Sequence, residues 1–217
     1  MEIDRAGDRR SDMKKSKLIL NSAVLIVLIV PAAFAQQSGS SSTGSSTTPP
    51  TIQQRKENQQ DRIANGIQSG QLTSGETKNL ETKEAGINKE QAGMRAADNG
   101  KLTTADRTKL QNQQNHVSNQ IYTDKHNAAV QHNGNGLVGQ RKENQQDRIA
   151  NGVRSGQLTA GETAKLENQQ QGINRTTAGM RQANGGKLTS ADKAAVNKQQ
   201  NQASRQIYAK KHNAAKQ

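Results

Sequence analysis

Four short segments of the chain set a glycine, a leucine, a threonine and a carboxylate at one fixed spacing. They are Gly70-Gln71-Leu72-Thr73-Ser74-Gly75-Glu76, Gly100-Lys101-Leu102-Thr103-Thr104-Ala105-Asp106, Gly156-Gln157-Leu158-Thr159-Ala160-Gly161-Glu162 and Gly186-Lys187-Leu188-Thr189-Ser190-Ala191-Asp192. A threonine hydroxyl at a helix start accepts a hydrogen bond from a free backbone N–H. An acid three residues later returns the bond and favours the positive helix end. The glycine can take the left-handed conformation that ends a preceding helix. The pattern therefore assigns Thr73 with Glu76, Thr103 with Asp106, Thr159 with Glu162, and Thr189 with Asp192 as helix caps, each closing one helix and opening the next.

The same segments carry a second chemistry by resemblance. A Gly, an aliphatic residue and an acid before a helix resemble the second half of an EF-hand calcium loop. Gly70, Leu72 and Glu76 match, as do Gly156, Leu158 and Glu162. The resemblance implies Asn65, Ser69 and Glu76, and Asn151, Ser155 and Glu162, as calcium ligands. The chain departs from that family at Ile67 and Val153, where a further oxygen donor is usual, and at Arg95 and Arg181 in the other two loops. Calcium takes six to eight oxygen ligands with several carboxylates, whereas capping alone also accounts for these residues.

Other reactive groups are sparse. There is no cysteine, so disulfides, thiolate metal sites and a thiol nucleophile are excluded. The histidines are His116, His126, His132 and His212, of which only His126 and His212 recur in Lys-His-Asn-Ala-Ala. Glu57 and Asp61 share a helix face with Arg55, Lys56 and Arg62, which reads as a solvated ionic face rather than an acid–base pair. No phosphate-binding loop, nucleophile elbow or zinc-protease motif occurs. With two tyrosines, one phenylalanine and no tryptophan, the chain lacks the side chains that usually line deep pockets. The expectation is a non-enzyme that uses no cofactor.

These residues sit in a tandem duplication. Residues 54–131 and 140–217 align without a gap at an offset of 86, with 50 identities in 78 positions. Within each copy the apolar residues follow helical spacing: Ile63 and Ile67; Leu80, Ile87 and Met94; Leu110, Val117 and Ile121; and, in the second copy, Leu166, Ile173 and Met180, then Val196, Ala203 and Ile207. The predicted helices are 53–69, 74–98 and 104–130, then 140–155, 160–184 and 190–215. The fold class is all-α, two tandem three-helix units at 53–131 and 140–217, joined by a linker at 132–139. With 29% hydrophobic residues and abundant Gln and Asn, the cores are thin, and disorder is the competing reading. Gly86 and Gly93 either weaken the middle helix or allow a close helix approach. The chain resembles uncharacterised exported bacterial proteins built from Gly-x-Leu-Thr-x-x-Glu helical hairpins.

At the N-terminus, Lys14, Lys15 and Lys17 precede an apolar run at 18–30 and the small residues Ala33 and Ala35. That order is a secretory signal at 1–35, with cleavage before Gln36 and a translation start expected at Met13. A Ser/Thr/Gly-rich tether at 36–52 follows. The expected location is periplasmic or extracellular.

Charge separates the copies. Copy one holds 11 basic and 9 acidic residues; copy two holds 14 and 5. The first functional expectation is a scaffold or interaction module acting on an envelope protein. The alternative is a module for a polyanion (lipopolysaccharide, acidic glycan, phospholipid surface or extracellular DNA), mainly through Arg154, Lys165, Arg175, Arg181, Lys187, Lys193, Lys198, Arg205, Lys210, Lys211 and Lys216 of copy two. A calcium-binding module is the third reading.

Overall fold

The computed structural model describes residues 49–134 and 136–216. The expected signal and most of the tether therefore lie outside the described residues. The described residues form one compact unit. It consists of α1 (Ile52–Gln68), α2 (Ser74–Ala97), α3 (Thr104–Lys125), α4 (Leu137–Arg154), α5 (Ala160–Ala183) and α6 (Ser190–Lys211), with no strand among the described residues. No helix among the described residues is long and apolar enough to cross a membrane.

Helix starts follow the threonines. Thr73, Thr103, Thr159 and Thr189 each form a reciprocal capping box with the acid three residues on. A fifth box joins Thr51 to Gln54, so α1 begins ahead of the expected residue 53, directly after the Pro49-Pro50 pair. Leu137 and Val138 enter the first turn of α4, three residues before the predicted start. Val138 packs on a small apolar cluster with Ile173 and Val196. The third helices end five and four residues earlier than predicted. After His126 the chain leaves α3, and the Gln131 N–H donates to Gly70 O at 2.8 Å, docking the segment after α3 on the α1–α2 connector.

Packing between the copies dominates the fold. α2 lies along α5 and α1 along α4, while α3 and α6 flank their own copies. The direction follows from close approaches: Gly75 faces Gln171, and Ala85 faces Gly161. As the index rises along α2 it falls along α5, so the two helices are antiparallel and cross about Leu80 and Leu166. One apolar cluster draws Ile63, Leu80 and Ile121 from copy one together with Ile149, Leu166 and Ile207 from copy two.

Glutamine supplements this core. The buried Gln59 side chain donates to Gln114 O (2.6 Å) and to Ser118 Oγ (2.9 Å), and Gln114 donates to Ile52 O (2.9 Å). Copy two repeats the set with Gln145 on Gln200 O (2.6 Å) and Ser204 Oγ (2.7 Å), and Gln200 on Val138 O (2.8 Å). These bonds tie each first helix to its third, and they add a second hydrogen bond to main-chain carbonyls of α1, α3, α4 and α6.

Glycine plays two opposite parts. Gly66 lies against Leu72, where an added Cβ would come within 2.6 Å of the leucine side chain. Gly86 and Gly93 have nothing within 4 Å of a Cβ position, so they mediate no helix approach. Accordingly, Gly86→Ala should raise stability by about 0.5–1 kcal/mol, while Gly66→Ala should lower it despite the same gain in helix propensity. Leu80→Ala, at the crossing and fully buried, should cost about 2–5 kcal/mol. Chemical denaturation monitored by circular dichroism measures all three.

Candidate functional site

The sequence-assigned carboxylates are engaged by their own connectors. Glu76 Oε2 accepts the Thr73 N–H (2.9 Å) and hydroxyl (2.7 Å), and Asn127 Nδ2 donates to Oε1 at 2.7 Å. Glu162 repeats this with Thr159 and Asn213. Hydrogen bonds from Thr103 and Thr189 hold Asp106 and Asp192 below the usual carboxylate range. The remaining residues of the calcium resemblance point elsewhere. Asn65 Oδ1 accepts from Arg154 of the other copy (2.7 Å). Asn151 Oδ1 accepts from Arg154 as well (3.3 Å). Ser69 donates to Gly66 O (3.4 Å) and Gln71 (3.0 Å), and Ser155 does likewise to Gly152 O and Gln157. Among the described residues no three His, Asp or Glu side chains are gathered as a metal site. His126 and His212 stack on Tyr122 and Tyr208 at ring distances of 4.2 and 4.1 Å, each with Nδ1 at 2.7 Å from the tyrosine carbonyl.

Three other carboxylates lie inside the protein. Glu81 and Glu84 on α2 and Glu167 on α5 are fully buried between the copies. Gln60 donates to Glu81 Oε2 and Gln146 to Glu167 Oε2, both at 3.2 Å, and Gln146 also reaches Ser74. One oxygen of Glu81, one of Glu167 and both of Glu84 have no hydrogen-bond partner. Burial raises all three carboxyls, Glu84 and Glu167 to about 7, with mutual repulsion adding to Glu81. The lysines facing the cluster are Lys56 on α1 and Lys142 on α4. Burial lowers both, and the nearby Arg181 helps bring Lys142 to about 8. Sequence spacing held a trace of this cluster. Thr77, Glu81 and Glu84 recur at helical intervals beside the Leu80–Ile87 seam, as do Thr163, Glu167 and Gln170. Their polarity pointed to solvent.

The basic residues assigned to copy two divide. Arg154 is spent within the fold, bridging to Asn65 and to Gln68 (3.0 Å). Lys211 is partly covered, and its acidity is altered by burial and by Arg148. Lys210 is half-buried at the end of α6, near Glu162. Lys165, Arg175, Lys198, Arg205 and Lys216 are exposed. Arg181, Lys187 and Lys193 converge on a cleft of about 460 Å³ between the α5–α6 connector and the start of α4. Copy one has the corresponding cleft, about 580 Å³, rimmed by Arg95, Lys101 and Arg107. Reading only the charge difference between the copies concealed this second triad.

The buried carboxyls give stability a defined pH dependence. Each is raised on folding; for Glu84 and Glu167 the folded chain retains a proton that the unfolded chain releases between about pH 4.5 and 7. The contribution of these two is full below about pH 4.5 and is lost as pH rises through about 7, on the order of 3 kcal/mol for each. Lys142, lowered to about 8, contributes in the opposite sense and restores part of the loss above pH 8. Thermal melts should therefore show a higher Tm near pH 5 than near pH 7.5, and Glu84→Gln with Glu167→Gln should flatten the difference.

No protein-family model, curated protein or solved structure matches this chain.

Proposed function

We propose that this is a non-enzymatic, exported helical module that acts through its outer surface, and that its partner is an anionic polymer or surface of the cell envelope. The observation that carries this reading is the exposed basic surface of copy two, which holds 14 basic and 5 acidic residues. Glu81, Glu84 and Glu167 are buried between the helices and Glu76, Asp106, Glu162 and Asp192 are committed to helix caps, while Lys165, Arg175, Lys198 and Arg205 are exposed on α5 and α6. The carboxylates best suited by their acidity to proton transfer are sealed from solvent, which favours binding over catalysis. Export rests on the order of basic, apolar and small residues at 14–35.

A scaffold for an envelope protein is the second reading. The exposed Tyr122 and Tyr208, each stacked on a histidine at the end of a third helix, favour it as paired contact points. The two readings differ in salt response. Retention of the 36–217 chain on immobilised heparin or lipopolysaccharide should be strong at low salt and fall steeply as salt rises. Replacing Lys165, Arg175, Lys198 and Arg205 by Gln should weaken retention about tenfold or more. Negligible retention of the unmodified chain at low salt rejects the polyanion reading and leaves the scaffold.

A further inference from the structure

Both clefts occupy the same place in their copies, between the end of the middle helix, the Gly-x-Leu-Thr connector and the first turn of the first helix. In copy one Arg95, Lys101 and Arg107 stand over Ile52 and Leu102. In copy two Arg181, Lys187 and Lys193 stand over Val138 and Leu188, with Leu137 at the lip, 76% exposed. All five positions correspond at the 86-residue offset. The copies differ at 28 of 78 aligned positions and in net charge, yet each cleft keeps three cations and an aliphatic floor. No carboxylate lines either cleft. Among the described residues none of the six cations forms an ion pair.

The clefts also have a fixed relation. α2 and α5 are antiparallel and cross near Leu80 and Leu166, and each cleft lies at the far C-terminal end of one of them. Ala97 is 17 residues beyond Leu80, and Ala183 is 17 beyond Leu166. At 1.5 Å per residue the clefts stand at opposite ends, about 50 Å apart.

We propose that each cleft binds the headgroup of one anionic phospholipid, so that the protein is a bivalent lipid linker. The inference rests on the anionic-partner reading and narrows it. Three cations around one cavity match a phosphate, which accepts hydrogen bonds from Arg and Lys on several oxygens. The aliphatic floor and Leu137 match the hydrocarbon next to that phosphate, a feature that a free phosphate or a sulfated polysaccharide does not offer. Placement at opposite ends lets one molecule hold two lipid surfaces.

The test uses the 36–217 chain, which keeps the whole compact unit and omits the apolar run at 18–30 that would itself enter a bilayer. Vesicles of phosphatidylcholine with phosphatidylglycerol are compared with phosphatidylcholine alone. The chain should sediment with the anionic vesicles only and make them turbid by bridging. Arg95→Gln/Lys101→Gln/Arg107→Gln, or the corresponding Arg181→Gln/Lys187→Gln/Lys193→Gln, should each abolish turbidity while leaving vesicle binding. Both sets together should weaken binding about 100-fold. Five of the six side chains are exposed and Arg181 is half-buried, and unchanged thermal melts confirm that the variants fold. Full binding by the six-fold variant overturns the proposal. So does an equal loss when the exposed Lys165, Arg175, Lys198 and Arg205 are replaced instead, since that outcome means diffuse attraction. Displacement by millimolar-scale inorganic phosphate in place of lipid assigns the clefts to a free anion and likewise overturns it. Heparin retention separates the two levels: its survival in the cleft variants leaves the broader polyanion reading standing when the lipid proposal fails.

Discussion

The contact between α2 and α5 is the interaction on which the rest depends. A chain this poor in apolar residues gives each copy only a narrow stripe, and a narrow stripe on an isolated three-helix unit leaves much of its area in water. Laying two such stripes antiparallel, with Leu80 near Leu166, lets the same few side chains serve both copies. The polar stripe next to the seam is buried by the same act. Glu81, Glu84 and Glu167 thereby lose water, and a carboxyl without water or a full set of partners favours its protonated form. The pH response and the architecture therefore have one origin.

Glutamine explains how the unit packs with so little hydrocarbon. Its two methylenes contribute packing, and its amide donates to helix carbonyls whose second lone pair is free to accept. Gln59 and Gln114 close the α1–α3 contact, and Gln145 and Gln200 close α4–α6 in the same way. Copy two adds Gln170, which donates to Gln145 Oε1 at 3.0 Å. The corresponding residue in copy one is Glu84, so the two halves of the seam differ in charge at this point.

The functional reading follows from what this packing leaves outside. In copy two Glu162 and Asp192 are drawn into caps and Glu167 into the seam, and the outer surface is left predominantly basic. The ends of the antiparallel pair then present two equivalent cationic clefts. The charge difference between copies governs the flanks, whereas the clefts remain alike. The proposed bivalence depends on the direction of α2 against α5, because a parallel arrangement would have placed both clefts at one end.

Sequence alone was enough for the helices and their boundaries at the connectors. Gly-x-Leu-Thr-x-x-acid is a local signal, and its bonds span only three residues, so no distant contact is needed to form it. The early ends of α3 and α6 were less legible, since Asn127 and Asn213 leave the helix for Glu76 and Glu162, about 50 residues away in sequence. The tertiary structure alone decided that the copies share a core, that Glu81 and Glu167 are buried, and that Arg95, Lys101 and Arg107 meet around one cavity. Burial and convergence arise from contacts between segments far apart along the chain. Helical periodicity reports which residues share a face but not what that face meets.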